Sequence, residues 1–260
     1  MKIAVLYICT GRYNQFFCGF YKSAEMFLLK GAEKHYFVWT DNDNIAKELK
    51  NVTIIHKECA GFPADSLFRF EMFMQVEDKL LDFDYVYFFN SNAIFLKPVG
   101  EEILPDETGL AMGIWRGKRE RQHPMFYPYE RNLKSLAYVA PYKPPYIYFM
   151  GGLNGGTPDK YLDLIRTLSK NIRDDYAHGI IARFHDESHI NAYMRTHRCK
   201  ILGRDLNSPE ELMDADSKLI FRNKICIDSY FDKNRKHTKI ARMKQFVGVL
   251  CDICRWYLKF

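Results

Sequence analysis

The first 89 residues alternate between short apolar strands and segments with helical spacing, and this alternation restricts the fold more than any other feature. The fourth predicted strand is apolar on both faces, which is typical of a central strand in a parallel sheet covered by helices. The alternation predicts an α/β fold with a doubly wound, mostly parallel central sheet. The predicted strands are Ile3–Cys9, His35–Thr40, Val52–His56 and Tyr85–Phe89.

Two helices are predicted between these strands. Apolar residues recur at helical spacing from Phe16 to Leu28, after the turn Thr10-Gly11. A second helix is predicted to run to about Leu81, with Asp65 or Ser66 as its N-cap.

The composition indicates one large globular domain. Of the 260 residues 47% are hydrophobic, which excludes a disordered chain and a small disulfide-stapled scaffold. Seven cysteines include a single CxxC, Cys251 to Cys254, with no second pair to complete a zinc site, so reduced thiols are expected. The apolar run at the N-terminus is too short for a signal peptide, and no stretch reaches the ~20 apolar residues of a membrane helix. A cytoplasmic location is therefore expected.

The formal net charge of +6 is concentrated at the C-terminal end. Residues 233–260 contain eight Lys and Arg and one acid, whereas the first 232 residues contain 30 basic and 31 acidic residues. Nucleic acid is not expected as a partner, because the body has no excess of basic residues to follow a phosphate backbone.

Residues 236–260 have the apolar spacing of an amphipathic helix, with basic residues in the same segment. This pattern predicts an interfacial helix that makes peripheral contact with the inner face of an anionic membrane. A helix that packs back on the domain, or pairs with another subunit, is the alternative.

Three motifs follow predicted strands or begin a helix, where α/β sheets bind their ligands. NSN at 90–92 follows the fourth strand, and its two amides are poor ligands for a hard cation. The alternative to a ligand-binding role is a simple Asx turn at the end of the strand. FMGGLNGG at 149–156 allows close backbone approach to a ligand but lacks the Rossmann and P-loop spacings. HDESH at 185–189 concentrates two acids and two histidines at the predicted start of a helix.

The histidines of the last motif allow a metallohydrolase interpretation. His185 and His189 are four residues apart and so share one helical face, but Asp186 stands where the zincin pattern needs Glu. For Asp186 and Glu187, a solvated helix start is the non-catalytic alternative, because acids are favoured there by the helix dipole.

Five segments, in this order and at these intervals, resemble glycosyltransferase family 6: YICTGRY at 7–13, NSN at 90–92, PYERN with LAYVAP between 128 and 141, FMGGLNGG at 149–156, and HDESHINAY at 185–193. The resemblance implies a domain of the GT-A nucleotide-sugar-binding fold over residues 1–235, followed by the basic segment 236–260. It also implies a retaining transferase that moves N-acetylgalactosamine or galactose from UDP to a galactoside in α-1,3 linkage.

The resemblance assigns roles to individual residues. Glu187 corresponds to the acid beneath the anomeric carbon, either a nucleophile or a stabiliser of an oxocarbenium-like state. For the donor, Asp186 corresponds to a residue that contacts sugar hydroxyls, Arg69 to a basic residue beside the donor, and Tyr13 to an aromatic near the uracil.

Met150, Gly151 and Gly152 correspond to the segment that discriminates between donors. Glycine at the third position leaves room for an N-acetyl group, which favours UDP-GalNAc as the donor. UDP-Gal stays the alternative donor, because a small steric difference discriminates only weakly between substrates.

Asn90 and Asn92 stand where the mammalian members have the acids of DxD, and some bacterial relatives share the double asparagine and work without metal. No metal or other cofactor is therefore expected. Another positive charge must then neutralise the departing UDP, and the basic run Lys233–Lys236 is the candidate. An ordinary exposed run of charge is the alternative.

On the acceptor side, the resemblance implies a position at which the family has a histidine that lines the site. Spacing along the chain places Arg116 at this position, whereas local sequence similarity places His123 there. Phe184 stands where many members have tryptophan. A galactose-terminated glycan is the implied acceptor. The resemblance does not define whether this acceptor carries the fucose that is usual for the family. A catalytically inactive UDP-sugar- or glycan-binding protein on the same fold is the remaining alternative.

Overall fold

The computed structural model describes residues 1–116, 123–232 and 239–258. The strands are β1 (Lys2–Ile8), β2 (Glu33–Thr40), β3 (Val52–His56), β4 (Tyr85–Phe89), β5 (Ala93–Phe95), β6 (Leu110–Ile114), β7 (Phe149–Gly156), β8 (Lys200–Ile201), β9 (Ser208–Pro209) and β10 (Leu219–Phe221). The α-helices are α1 (Phe17–Phe27), α2 (Ala64–Leu67), α3 (Arg69–Met74), α4 (Glu77–Leu80), α5 (Pro158–Ala177), α6 (His185–Tyr193), α7 (Lys224–Ile227) and α8 (Lys239–Leu258).

The central sheet has seven strands in the order β3-β2-β1-β4-β7-β6-β8. Strand β1 pairs in parallel with β2 and β4, and β2 pairs in parallel with β3, whereas β7 runs antiparallel to both β4 and β6. A smaller sheet has the order β5-β10-β9. The predicted mostly parallel α/β architecture is confirmed, and all four predicted strands are present, with β4 in the middle of the sheet as expected.

The sheet is covered on both faces because its strands send alternate side chains to opposite sides. In β1, Ile3, Val5 and Tyr7 join the apolar cluster that contains α1, whereas Ala4 and Leu6 join the cluster on the other face. That second cluster includes side chains of α3, α5 and α6. The long helix α5 begins two residues after the glycine-rich strand β7 ends, and its apolar side chains belong to the second cluster.

The helix predicted up to Leu81 is wrong in its continuity, because the chain forms three short helices, α2, α3 and α4. The predicted caps are also wrong: Pro63 precedes α2, and the Asp65 carboxylate accepts hydrogen bonds from the Thr10 hydroxyl at 2.9 Å and the Gly61 backbone N–H at 3.0 Å. These tertiary bonds hold the segment against the first loop. Helix α3 consequently begins at Arg69, whose side chain is buried.

The predicted C-terminal helix is present as α8, and one of its faces packs back on the body. Trp256 is 2% exposed and donates a hydrogen bond of 2.6 Å from its indole N–H to the Val139 carbonyl. Trp256 is therefore not on an exposed interfacial face, whereas Val247, Leu250 and Leu258 are exposed. None of the helices that the structure describes combines the length and hydropathy needed to cross a bilayer.

Candidate active site

The carboxyl group of Glu187 lies in the first turn of α6 and accepts three hydrogen bonds. Trp115 donates its indole N–H to Oε1 at 2.9 Å, and the Tyr148 hydroxyl donates to the same oxygen at 2.9 Å. The Gly151 backbone N–H donates to Oε2 at 2.7 Å. These donors come from the ends of β6 and β7, which pair antiparallel, so the sheet itself fixes the orientation of the carboxylate.

Helix α6 is tied to strand β7 by a buried amide. The Asn191 side chain accepts from the Phe149 backbone N–H at 2.9 Å and donates to the Phe149 carbonyl at 2.9 Å. It also donates to the Glu187 carbonyl at 2.8 Å. At the start of α6, His185 has a φ of 50°. This left-handed backbone conformation costs roughly 1–3 kcal/mol in a non-glycine residue and occurs most often at functional sites.

Burial raises the pKa of Glu187, and this effect exceeds the opposing influence of its hydrogen bonds and of the Arg69 charge. A carboxyl group held this way is more basic than an exposed one. Such tuning is typical of catalytic carboxylates and not of a solvated helix start.

We expect Tyr148→Phe to shift the acid limb of the kcat/KM profile to higher pH. The hydroxyl stabilises the carboxylate form, so its removal raises the pKa of Glu187 further and extends the protonated, inactive range upward. The pH dependence of sugar transfer measures this shift. Tyr146→Phe is the matched control, because the Tyr146 hydroxyl accepts from the Lys143 backbone N–H instead. An unchanged acid limb in Tyr148→Phe would contradict the prediction.

Arg69 and Asp186 form a buried ion pair beside Glu187. The Arg69 guanidinium also donates to the Gly151 carbonyl at 2.8 Å and lies over the Phe88 ring, 4.6 Å from its centroid. Burial lowers the pKa of Arg69 to about 10, which leaves it charged at neutral pH. The pair therefore supplies one fixed positive and one fixed negative group within the site.

The glycines of β7 are required by close packing. A Cβ atom at Gly151 would collide with the Arg69 guanidinium and lie 3.1 Å from Asp186 Oδ2. A Cβ atom at Gly152 would lie 3.0 Å from Met150 Cε and 3.3 Å from Asn90 Cβ. The structure thus brings Met150, the glycine pair, Asn90 and Glu187 to one region.

Asn90 and Asn92 are held by hydrogen bonds within the chain. The Asn90 N–H donates to the Gly152 carbonyl at 2.8 Å, and its side-chain oxygen accepts from the Ser91 N–H at 3.1 Å. The Asn92 side-chain N–H donates to the Arg222 carbonyl at 2.6 Å. The Asn90 side-chain oxygen is engaged in this way, whereas Asn92 Oδ1 has no hydrogen-bond partner among the described residues. No group of three His, Cys, Asp or Glu suited to a metal occurs within residues 1–116, 123–232 and 239–258.

A cavity of about 330 Å³ lies beside Tyr13, between the first loop and the segment after β10. Its wall includes Phe221, which is in reach of Gly152, and the cations Arg222 and Lys224. The Lys224 ammonium lies 4.7 Å from the centroid of the Tyr13 ring. Phe221 therefore lies next to both the cavity and the glycine pair.

The three candidate acceptor residues lie in different settings. Arg116 follows Trp115 and is bound to Asn207 Oδ1 at 2.8 Å and to the Leu202 carbonyl at 3.0 Å. His123 is exposed and accepts from the Met125 N–H at 3.2 Å, and Phe184 directly precedes α6. Lys233, like the rest of the run to Lys236, lies outside the described residues.

The two histidines of the HDESH motif have separate surroundings. His185 packs edge-on against Phe62, with ring centroids 4.8 Å apart. His189 is buried, and burial lowers its pKa to about 4 despite the Asp175 carboxylate 3.6 Å away. A metallohydrolase site has no third ligand among the residues that the structure describes.

Sequence reasoning missed four residues of this region. Trp115 and Tyr148, which hold Glu187, were recognisable only as aromatics at strand ends. Arg222 and Lys224 were not separable from other scattered cations, because their proximity to Tyr13 and Asn92 depends on the small second sheet.

Several known glycosyltransferases are similar in sequence to this chain. The chain is 34% identical over 226 residues to the O-antigen biosynthesis glycosyltransferase WbnI of Escherichia coli, which covers 86% of this chain and 95% of that relative. It is 30% identical to the rat histo-blood group ABO system transferase 1, over 78% of this chain and 58% of the relative. It is 28% identical to the chicken globoside alpha-1,3-N-acetylgalactosaminyltransferase 1, over 82% of this chain and 62% of the relative.

The mixed α/β architecture, with its mostly parallel sheet, is consistent with the GT-A type of glycosyltransferase. The chain belongs to glycosyltransferase family 6, whose profile matches residues 1–237. A nucleotide-sugar donor and a glycan acceptor follow from this class. The whole of α8 lies beyond the matched residues.

Proposed function

We propose that the protein is a retaining glycosyltransferase that moves N-acetylgalactosamine or galactose from UDP to a galactoside in α-1,3 linkage. The observation that carries this proposal is the triply hydrogen-bonded Glu187 carboxylate beside the buried Arg69–Asp186 pair. The name of the chicken relative, a globoside alpha-1,3-N-acetylgalactosaminyltransferase, supports the linkage and the sugar.

In the proposed reaction the Glu187 carboxylate faces the anomeric carbon as the bond to UDP breaks. It either forms a covalent glycosyl intermediate that the acceptor hydroxyl then displaces, or stabilises the oxocarbenium-like state during attack on the same face. Asp186 and Arg69 orient the sugar hydroxyls, and Tyr13 lies against the uracil at the cavity beside it. Arg116 or His123, together with Phe184, lines the acceptor side.

We propose GalNAc as the favoured donor sugar. Glycine at 152 has no side chain that could crowd an N-acetyl group of a bound donor, which supports the larger of the two sugars.

We also propose that transfer needs no metal ion. The amides of Asn90 and Asn92 supply no negative charge, so the leaving diphosphate must be neutralised by protein cations. Among the described residues, Arg222 and Lys224 are candidates for this neutralising charge, because they line the cavity beside Tyr13. Lys233, which lies outside the described residues, is a further candidate.

A donor and acceptor screen in EDTA, read by mass, tests the function and the metal together. UDP-GalNAc and UDP-Gal are offered with galactosides, with and without added Mn²⁺. We expect a mass increase of one N-acetylhexosamine in EDTA and no more than a small stimulation by Mn²⁺. Activity that appears only with Mn²⁺ would contradict the metal-free mechanism, and tight donor binding without transfer or hydrolysis would favour a UDP-sugar-binding protein.

Helix α8 supports a proposed peripheral contact with anionic lipid. Val247, Leu250 and Leu258 are exposed, and residues 233–260 contain eight basic residues. We expect co-sedimentation with vesicles that contain phosphatidylglycerol, weakened by high salt and reduced in Leu250→Glu, and no co-sedimentation with neutral phosphatidylcholine vesicles. Equal recovery with both vesicle types would contradict an electrostatic contact.

A further inference from the structure

A second cavity, of about 640 Å³, lies where α8 docks on the body, apart from the cavity beside Tyr13. Its wall includes three cations, Arg131, Lys134 and Arg183, together with Trp256 and the acids Glu130 and Asp252. This volume is in the range of small-molecule sites. Trp256 and Asp252 belong to α8, so their side of the wall lies beyond the residues that the family profile matches, whereas the three cations lie within those residues.

The carboxylate of Glu130 is already occupied by backbone donors. It accepts from the N–H groups of Arg131 at 2.8 Å, Asn132 at 2.8 Å and Arg183 at 2.6 Å. It therefore holds the loop and the segment before α6 together and does not form an ion pair with the cavity cations. Asp252 is the other acid, and its contact with the Arg183 guanidinium is long, at 3.4 Å.

Arg131 carries a charge that has no carboxylate in direct contact. Its guanidinium lies over the Trp256 ring, 5.0 Å from the centroid, and donates only to the carbonyls of Met125 and Tyr127. Nε and Nη1 have no hydrogen-bond partner among the described residues. Burial, followed by the nearby Arg183 charge, lowers the pKa of Arg131.

We propose that this cavity, the Trp256 cavity, binds an acidic group, a carboxylate or a phosphate, between Arg131, Lys134 and Arg183. An anion there relieves the repulsion between the two guanidinium groups and receives charge-assisted hydrogen bonds from the exposed Arg183 and Lys134 side chains. Isolated surface cations do not form such a site, whereas these three cations line the wall of one cavity.

The position of the cavity indicates which molecule carries the acidic group. Arg183 directly precedes Phe184 and the start of α6, and its backbone is bound to the cavity wall through Glu130. The occupant that we propose is an acidic sugar or a phosphorylated substituent of the acceptor glycan, beyond the sugar that reacts. This assignment to the acceptor rests on the proposed transferase function, whereas the anion site itself does not.

Binding to the full-length protein without donor tests the anion site. Glucuronate and inorganic phosphate are titrated at constant ionic strength and followed by calorimetry and tryptophan fluorescence, with glucose as the neutral control. We expect saturable binding of an anion and none of glucose. The double substitution Lys134→Gln and Arg183→Gln should weaken anion binding about tenfold or more, since charge-assisted hydrogen bonds are lost.

Two further variants separate a binding role from a structural one. Asp252→Asn removes the competing carboxylate and should strengthen anion binding, a gain that damaged packing would not produce. Lys170→Gln, at an exposed lysine paired with Asp174 on α5, is the charge-matched control and should change nothing. Absence of saturable binding, or equal binding in the double variant, would overturn the anion site.

A kinetic comparison tests the assignment to the acceptor. The double variant should raise KM for an acidic galactoside severalfold while leaving kcat, and the KM of a neutral galactoside, unchanged. Equal effects on both acceptors would overturn that assignment. If the protein transfers no sugar at all, the proposed function fails while the donor-free binding result still decides the anion site.

Discussion

Glu187→Gln should lower the rate of sugar transfer by roughly 10³-fold or more, because an amide supplies neither a nucleophilic carboxylate nor a negative charge beneath the anomeric carbon. The substitution preserves size and leaves an oxygen that accepts from Trp115 and Tyr148. Its side-chain amide group then faces the Gly151 N–H, so one hydrogen bond is lost. Initial rates of transfer and of donor hydrolysis, both in EDTA, measure the effect.

The control for this variant is donor binding. Because the Arg69–Asp186 pair and the Tyr13 cavity are untouched, UDP affinity measured by calorimetry should stay within about threefold of the parent. Asp186→Asn should behave differently, since it leaves the buried Arg69 charge without its partner and so weakens donor binding as well. Transfer by Glu187→Gln at the parental rate would remove Glu187 from the catalytic role.

Trp256→Ala should destabilise the protein by about 3–5 kcal/mol, the usual cost of deleting a buried large aromatic side chain. The ring is 2% exposed, packs near Tyr129 with centroids 6.4 Å apart, and covers the Arg131 guanidinium. Its indole N–H also bonds the Val139 carbonyl. Urea unfolding followed by circular dichroism measures the loss, and α8 should become a preferred site of limited proteolysis.

Val247→Ala is the matched control on the same helix, since its side chain is exposed. We expect its free energy of unfolding to differ from the parent by about 0.5 kcal/mol at most. If Trp256→Ala were as stable as Val247→Ala, the docking of α8 on the body would not contribute to the fold.

The strands of the central sheet were predictable because each is a short, largely apolar run bounded by turns. Val52–His56 and Tyr85–Phe89 have the bounds that their sequences indicate. The broken helix was not predictable, since no Gly or Pro marks Phe68 and Val76, the positions at which the chain leaves helical geometry. The Asp65 side chain, which the sequence suggests as a cap, accepts instead from the distant Thr10 hydroxyl.

For the candidate site, the sequence predicted Glu187, Asp186 and the glycine pair through their resemblance to a family, and the structure brings these residues together. The groups that orient Glu187 were not identified, because Trp115 and Tyr148 are 33 positions apart in the chain. They meet only through the antiparallel pairing of β6 and β7, in which the Trp115 N–H donates to the Tyr148 carbonyl at 3.0 Å. Strand pairing of this kind is not encoded in the local pattern of either strand.

The hydrogen bonds of the NSN segment limit which side chains this strand end can accept. The Asn92 side-chain N–H links the central sheet to the segment after β10, and the Tyr7 hydroxyl donates to the Ser91 carbonyl at 2.7 Å. An aspartate at 92 would place a buried carboxylate against the Arg222 carbonyl, where two acceptors repel. Introducing a carboxylate at 92 would therefore cost the protein a structural link, and it would require compensating changes near Arg222.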